Sequence, residues 1–290
     1  MKLLFSESKA DYSHYIFPYA IWAFLEPGES PSDCFEHGFL PSSYNLDRFY
    51  LCRQIRIRLA SFAPSSENRR IMRKCDGIQA DLIPRSEFEF TSEKRAAFKH
   101  YADIKFGKDV MTTEKLDLLF NSALASHMLV FTDSADGREV GTVVIYLEPN
   151  RTAFYYYAFY DLTYYERNLG IYMMTTAIAH LKESGIGHLY LGTCYTRNAL
   201  YKAQFAGAQF FNGFEWSTNL KELKYLVHRD QRATDHHLLE SADYRGKFKS
   251  RPLQEFAAES PFATVGISEL KIPEPASKAP RKSSRPCGNL

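Results

Sequence analysis

"AFYYYAFYDLTYYERNLGIYMM", residues 153–174, joins two periodicities. The aromatic run up to Tyr160 reads as a strand, set off by the turn signal Asn150-Arg151 before it and by Asp161 after it. Ile171, Met174, Ile178 and Leu181 then recur at the spacing of one helix face, and Gly185 and Gly187 end that helix. "HLYLGTCY" at 188–195 follows as another strand.

Working outward, "HMLVFTD" runs into Ser134-Ala135-Asp136-Gly137 and "EVGTVVIYLEP" into Asn150-Arg151, so with the quoted strand they predict an antiparallel meander of three. "SEKRAAFKHYADIKF" and "TTEKLDLLFNSAL" before it read as helices. After "HLYLGTCY" come a second helix near Asn198 to Ala206 and a final strand in "AQFFNGFEWS". Helix, helix, meander, helix, strand, helix, strand is the element order of the GNAT-like (acyl-CoA N-acyltransferase) fold. The expected class is therefore α+β, with the meander and the later strand splayed around a substrate cleft.

Composition sets the frame. A chain of 290 residues with 45% hydrophobic content buries a sizeable core. A net charge of +2 identifies no partner, so a nucleic-acid reading rests on where the basic residues lie. The five cysteines, Cys34, Cys52, Cys75, Cys194 and Cys287, are widely spaced without C-x-x-C, which argues against a disulfide framework and against a zinc module. The histidines offer no metal spacing; His236 and His237 are adjacent and diverge on a helix. The apolar stretch from Tyr15 to Leu25 is interrupted by Pro18 and too short to span a bilayer. A soluble, cytosolic, unprocessed chain, monomeric and without a membrane partner, is expected.

In "QIRIRLASF" (54–62), Ile55, Ile57 and Leu59 alternate with Arg56 and Arg58, the pattern of a half-buried strand with a cationic outer face. "SSENRRIMRKC" then reads as a capped helix carrying Arg69, Arg70, Arg73 and Lys74. Such a face is either ordinary solvated charge or a set of phosphate contacts. Three parts are expected: an N-terminal domain over 1–84 with this strand-helix pair, a transferase domain over 85–245, and a flexible basic tail over 246–290.

Several collinear stretches resemble the aminoacyl-tRNA:protein transferases, the arginyltransferases and bacterial leucyltransferases of the N-degron pathway. "HGFLPSS" (37–43) resembles the family's Gly-aromatic-Arg-Arg-Ser turn, and "YLCRQIRIRLASFAPSSENRRIMRKC" (50–75) its Cys-containing strand and Arg-Arg helix. The opening stretch resembles the strand ending in aromatic-aromatic-Asp-Pro, and "LYLGTCYTRNALYKAQF" (189–205) the Tyr-Leu-Gly-Tyr and Tyr-Lys-x-x-Phe segments. Together they cover roughly residues 35–217. Departures mark a divergent member: Leu162 stands for the proline, Asn198-Ala199 for a Lys-Met pair, and Cys34 and Cys52 stand apart where the family pairs cysteines.

The resemblance implies attack by the α-amine of a protein beginning with Asp or Glu on the ester of an aminoacyl-tRNA carrying Arg or Leu. The ester is already activated, so no cofactor and no metal are implied; the site must position two reactants, accept a proton and steady an oxyanion. It implies Asp161 and Tyr160 as catalytic residues, with Asp161 as amine-orienting carboxylate; the ordinary alternative for Asp161 is a helix cap. Tyr160 and Tyr156, read as sharing one strand face with Phe154, wall a pocket or simply pack the core. Leu169-Gly170 and Leu191-Gly192 are places of close backbone approach to a ligand or of crowded packing. Tyr201 and Lys202 meet the tRNA end, or the lysine is solvated. Arg56, Arg58, Arg69, Arg70, Arg73 and Lys74 would contact tRNA phosphates. Two rivals stand beside this reading. One is an acyl-CoA N-acyltransferase, suggested by "ERNLGIY", which keeps a fragment of an Arg-x-x-Gly loop. The other is a non-catalytic relative.

Overall fold

The computed structural model describes residues 1–7, 10–13, 19–231, 238, 241–249, 251 and 255. The expected tail beyond 255, with Cys287, lies outside the described residues, as do Arg232, His236 and His237. Packing divides the chain into Met1–Arg251 and Pro252–Leu290.

The strand and helix patterns fold where their periodicities place them. β7 (His127–Asp133), β8 (Arg138–Glu148) and β9 (Thr152–Tyr160) form the meander, to which β6 (Ile78–Pro84) adds a fourth antiparallel strand. α3 (Ser92–Lys105) and α4 (Thr113–Phe120) precede the meander, started by Thr91 and Thr112, whose side chains accept from the amides three residues on. α5 (Leu169–Glu183) follows β9 and returns the chain to β10 (His188–Thr193), which pairs parallel to β9. One parallel pair, joined by a helical crossover, thus sits in an otherwise antiparallel sheet. The α+β class and GNAT-like order expected from sequence are what the fold shows.

Upstream, β1 (Lys2–Glu7), β2 (Tyr19–Phe24), α1 (Pro31–Glu36), β3 (Phe39–Pro41) and β4 (Phe49–Leu51) make a small sheet in the order β1-β2-β4-β3, with α1 between β2 and β3 in sequence. β5 (Gln54–Arg58) leaves that sheet and enters the large one, whose order is β12-β11-β5-β10-β9-β8-β7-β6. Here β11 (Ala208–Phe211) and β12 (Trp216–Ser217) form a hairpin where one strand was expected, and residues 197–204 are a 3-10 run where an α-helix was expected. α2 (Ser66–Lys74), α6 (Leu220–Arg229) and α7 (Ala242–Phe248) complete the described elements.

The sheet therefore crosses residue 84, the expected domain boundary: β5, from the N-terminal side, lies between β10 and β11, and β6 closes the far edge. The physical reason is the pattern that identified β5, since Ile55, Ile57 and Leu59, fully buried, need a core, and they find it under α5 with Ile71 of α2 and Leu223 of α6. The opposite face is covered at one end by α3 and α4, through Phe98, Leu116 and Phe120 against Phe159. At the other end it is covered by α1, whose Phe35 ring lies 4.9 Å from Tyr190 and 5.5 Å from Phe154. A polar latch holds α1 there: Ser30 and Ser32 donate to Glu148, and Arg151 pairs with Asp33 at 2.8 Å.

Candidate functional site

The parallel ladder between β9 and β10 is short. It pairs Thr152 with His188, Ala153 with Leu189 and Phe154 with Tyr190, and then stops. Just beyond, each strand carries an extra residue: Tyr156 interrupts the β8–β9 register, and Leu191 the β10–β5 register. A bulge bends and twists its strand. Two bulges at one level open a wedge between residues 155–160 and 191–193.

The bulge also corrects the expected strand face. Alternation would place Phe154, Tyr156 and Tyr160 together. With the extra residue inserted, Phe154, Tyr156, Tyr157 and Phe159 share one side, where the Tyr156 and Tyr157 rings lie 4.5 Å apart, while Tyr155 and Ala158 join the core under α5. Tyr160, at the strand end, touches both cores.

Gly192 lies at the wedge floor with φ +81, a conformation glycine adopts without strain. A β-carbon there would stand 3.7 Å from Lys202 Nζ and 4.0 Å from Phe154. Lys202 donates to the Thr193 carbonyl at 3.2 Å, and burial lowers the pKa of its ammonium. Leu191, fully buried in the core, is packing. Tyr201, partly exposed, joins Tyr101, Tyr155 and Tyr160 in a cluster of phenols: burial raises the pKa values of Tyr101, Tyr155 and Tyr201, and neighbouring phenols add to the effect. On the opposite flank stand Tyr157, Tyr50 and Tyr195, with the Tyr195 hydroxyl accepting from the Arg53 amide at 2.8 Å.

Asp161 follows Tyr160 at the mouth of a cleft of about 360 Å³ between α3 and the ends of β8 and β9, lined by Phe98, Tyr101, Val140, Phe159 and Leu162. Its Oδ1 accepts from the Thr163 amide at 2.9 Å and from the Thr163 hydroxyl at 2.7 Å, which makes it the cap of the 3-10 turn Leu162–Arg167. Its Oδ2 faces Arg138 at 3.4 Å. The capping role is thus present on Oδ1, while Oδ2 is the oxygen paired with Arg138.

At Leu169-Gly170 the helix begins under an aromatic lid. A β-carbon on Gly170 would lie 3.1–3.3 Å from the Tyr160 ring, and Leu169 is buried. Arg167, the arginine of the partial Arg-x-x-Gly loop, donates to the carbonyls of Lys74 at 3.0 Å and Asp76 at 3.2 Å and pairs with Asp133 at 3.6 Å. That guanidinium ties the turn to the end of α2.

The six basic residues do not form one surface. Arg56 and Arg58 lie on the face of β5 opposite Ile55 and Ile57, whereas α2 packs on the Ile side through Ile71. Arg56 is engaged within the fold: its guanidinium lies 3.8 Å from the Trp216 ring centroid, and Nε donates to Gln209 at 2.9 Å. Arg70 pairs with Glu67, and Arg69 donates to the Pro64 carbonyl. Arg58, Arg73 and Lys74 are exposed. In the sequence Tyr50 reads with Phe49 and Phe62 as an aromatic that stacks bases or packs the core, whereas Tyr101, Tyr155 and Tyr195 go unassigned because they sit in three separate segments that only the fold brings near β9 and β10.

Among the described residues no group of three or more His, Cys, Asp or Glu is placed to hold a metal ion, and no helix is long and apolar enough to cross a membrane. Cys34, Cys52, Cys75 and Cys194 are free and buried, with the Cys34 and Cys52 thiols pushed up to about 12 by burial.

No protein-family model matches the chain. Curated relatives do. An aspartate/glutamate leucyltransferase of Methylobacterium nodulans is 27% identical over 168 residues, 53% of this chain and 66% of that protein. Its counterpart in Gluconacetobacter diazotrophicus is 26% identical over 172 residues, 57% and 64% respectively. That of Cereibacter sphaeroides is 25% identical over 175 residues, 57% and 61%. The matches thus span a little under two thirds of those relatives' length. Among solved structures, the C-terminal domain of a putative lysylphosphatidylglycerol synthetase from Agrobacterium fabrum overlaps 56% of this chain and 50% of its own at a TM-score of 0.39 and 13% identity. FemX overlaps 49% and 52% at 0.36 and 10%, and a GCN5-related N-acetyltransferase from Sphaerobacter thermophilus 61% and 52% at 0.31 and 13%. Superpositions this loose say nothing of substrate. Over a little more than half of its length the chain is thus similar to aspartate/glutamate leucyltransferases, at the distance of a divergent relative.

Proposed function

We propose that the protein moves leucine from an aminoacyl-tRNA to the α-amine of polypeptides that begin with Asp or Glu, in the cytosol. The observation that carries the reading is the likeness to aspartate/glutamate leucyltransferases over more than half of the chain. The wedge between β9 and β10 supports it as the place where two substrates meet.

The neutral amine attacks the ester carbonyl, a C–N bond forms, the C–O bond to the tRNA ribose breaks, and the amine's proton ends on the released hydroxyl. The chain's task is positioning and proton handling. Asp161 receives the proton through Oδ2 and passes it on, while Oδ1 stays fixed in the turn by Thr163. Tyr160 shapes the passage between cleft and wedge. The Lys202 ammonium, beside Gly192, supplies the positive charge for an anionic group, and Tyr156 and Tyr201 contact the substrates. Exposed Arg73 and Lys74, with Arg69 and Arg70 on the same helix, add phosphate contacts, and exposed Arg58 adds one on the other face of the sheet. Arginine is the other donor amino acid. Either product carries the new N-terminal residue that N-degron proteolysis recognises.

An acyl-CoA donor fits less well. The first turn of α5 lies beneath the Tyr160 ring, and the loop arginine is engaged with carbonyls and Asp133. Transfer of labelled leucine from charged tRNA to peptides beginning with Asp, Glu or Ala tests the proposal: label on the first two alone supports it, and label on none overturns it.

A further inference from the structure

A second concave surface lies on the small sheet. Trp22 and Tyr50 face each other across the β2–β4 pair, whereas Tyr19, Ala20 and Ile21 run on beyond that ladder. With Ser42 and Leu51 they enclose a groove of about 470 Å³. Arg48 borders it: the guanidinium lies 4.5 Å from the Trp22 ring centroid, and Nε donates to the Ser42 hydroxyl at 3.0 Å.

Aromatic rings beside a fixed guanidinium are what unstacked bases and their phosphates need, the rings taking base faces and the cation a phosphate or a base plane. A purely apolar occupant would desolvate the guanidinium and give it no anion in return. Tyr50, which lines the groove, is also near the wedge flank: burial raises its pKa first, and then the Cys52 thiol and the phenols of Tyr195 and Tyr157 add to it.

We infer that this groove seats the single-stranded 3′ end of an RNA, with bases against Trp22 and Tyr50 and a phosphate at Arg48, and so leads the terminal nucleoside toward the wedge. The identity of that RNA as the aminoacyl donor rests on the function proposed above; the seating of single-stranded RNA in the groove does not.

The chain has two tryptophans, Trp22 and Trp216, so in a Trp216→Phe protein emission reports on Trp22. The full chain is titrated with a short single-stranded RNA ending in CCA, a duplex RNA of equal length, and an Asp-initiated peptide. The single strand is expected to quench Trp22 saturably, and the other two are not. In the parent background, measured with labelled RNA, Trp22→Leu and Arg48→Gln each weaken binding by about tenfold, while Trp22→Phe, which keeps a stacking ring, retains most of it. Arg48→Gln, a surface change, decides the matter if Trp22→Leu fails to fold. Unmoved emission with the single strand, a response to the peptide instead, or undiminished RNA binding by Arg48→Gln overturns the inference. RNA seated in the groove without leucyl transfer overturns only the proposed function; transfer with Trp22 silent overturns only the groove.

Discussion

Asp161 caps the 3-10 turn through Oδ1, and substitutions separate that role from the proton-accepting one proposed for Oδ2. Asn is a good helix cap, so Asp161→Asn keeps the bond to the Thr163 amide and loses the charged proton acceptor, whereas Asp161→Ala loses both. Thermal unfolding should show Asp161→Ala about 1 kcal/mol less stable and Asp161→Asn near the parent. Transfer by both should fall by about a hundredfold or more. Parent-like transfer by Asp161→Asn would leave Asp161 as a cap alone. His188 carries a second residue-scale consequence. Burial first, then Arg56 and Arg58, lower its folded pKa to about 4 from 6.5. Between those values the unfolded chain binds the extra proton, so stability is lost as pH falls through this window, on the order of 3 kcal/mol at its lower end. Urea unfolding at a series of pH values should show that loss flatten in His188→Gln; an unchanged slope would contradict it.

At the scale of elements, most of the order was legible and most of the site was not. β7 and β8 fold over the runs between turn signals, and α5 over the apolar spacing that began at Ile171, because period and punctuation are local properties. The bulges at Tyr156 and Leu191 are not local. They arise where β9 meets β8 on one side and lets β10 go on the other, so strict alternation set Tyr160 on the face of Tyr156, whereas at the strand end it touches both cores. The same limit applied to the arginines, whose alternation was correct while the strand that bears them was assigned to a separate domain. α2 is the element whose charge remains available. Arg73→Gln with Lys74→Gln should reduce the slope of log affinity for tRNA against log salt by about 2 if both meet phosphates. An unchanged slope would make the α2 face ordinary solvated charge.

At the largest scale, the larger of the two sheets in the unit Met1–Arg251 is drawn from strands on both sides of residue 84. β5 fills the gap between β10 and β11 and β6 covers β7, so a fragment spanning 85–251 would leave three strand edges unpaired and expose the buried side chains that Ile55, Ile57 and Leu59 now cover. Such a fragment should lack the parent's cooperative unfolding transition when followed by circular dichroism; a sharp transition at the parent's temperature would restore the two-domain division. The collinear resemblance read from the sequence carried further than any single motif did, because it spans the strands on both sides of the wedge, β5 and β10 included. What passes through that wedge decides the activity. It is tested most directly by incubating the full protein and an Asp-initiated peptide with Leu-tRNA, Arg-tRNA or acetyl-CoA, and reading the peptide's N-terminus by mass spectrometry. One added leucyl residue is expected from Leu-tRNA, and none of that product when the peptide begins with Ala; an unmodified peptide with both charged tRNAs, or acetylation from acetyl-CoA, would refute the proposed activity.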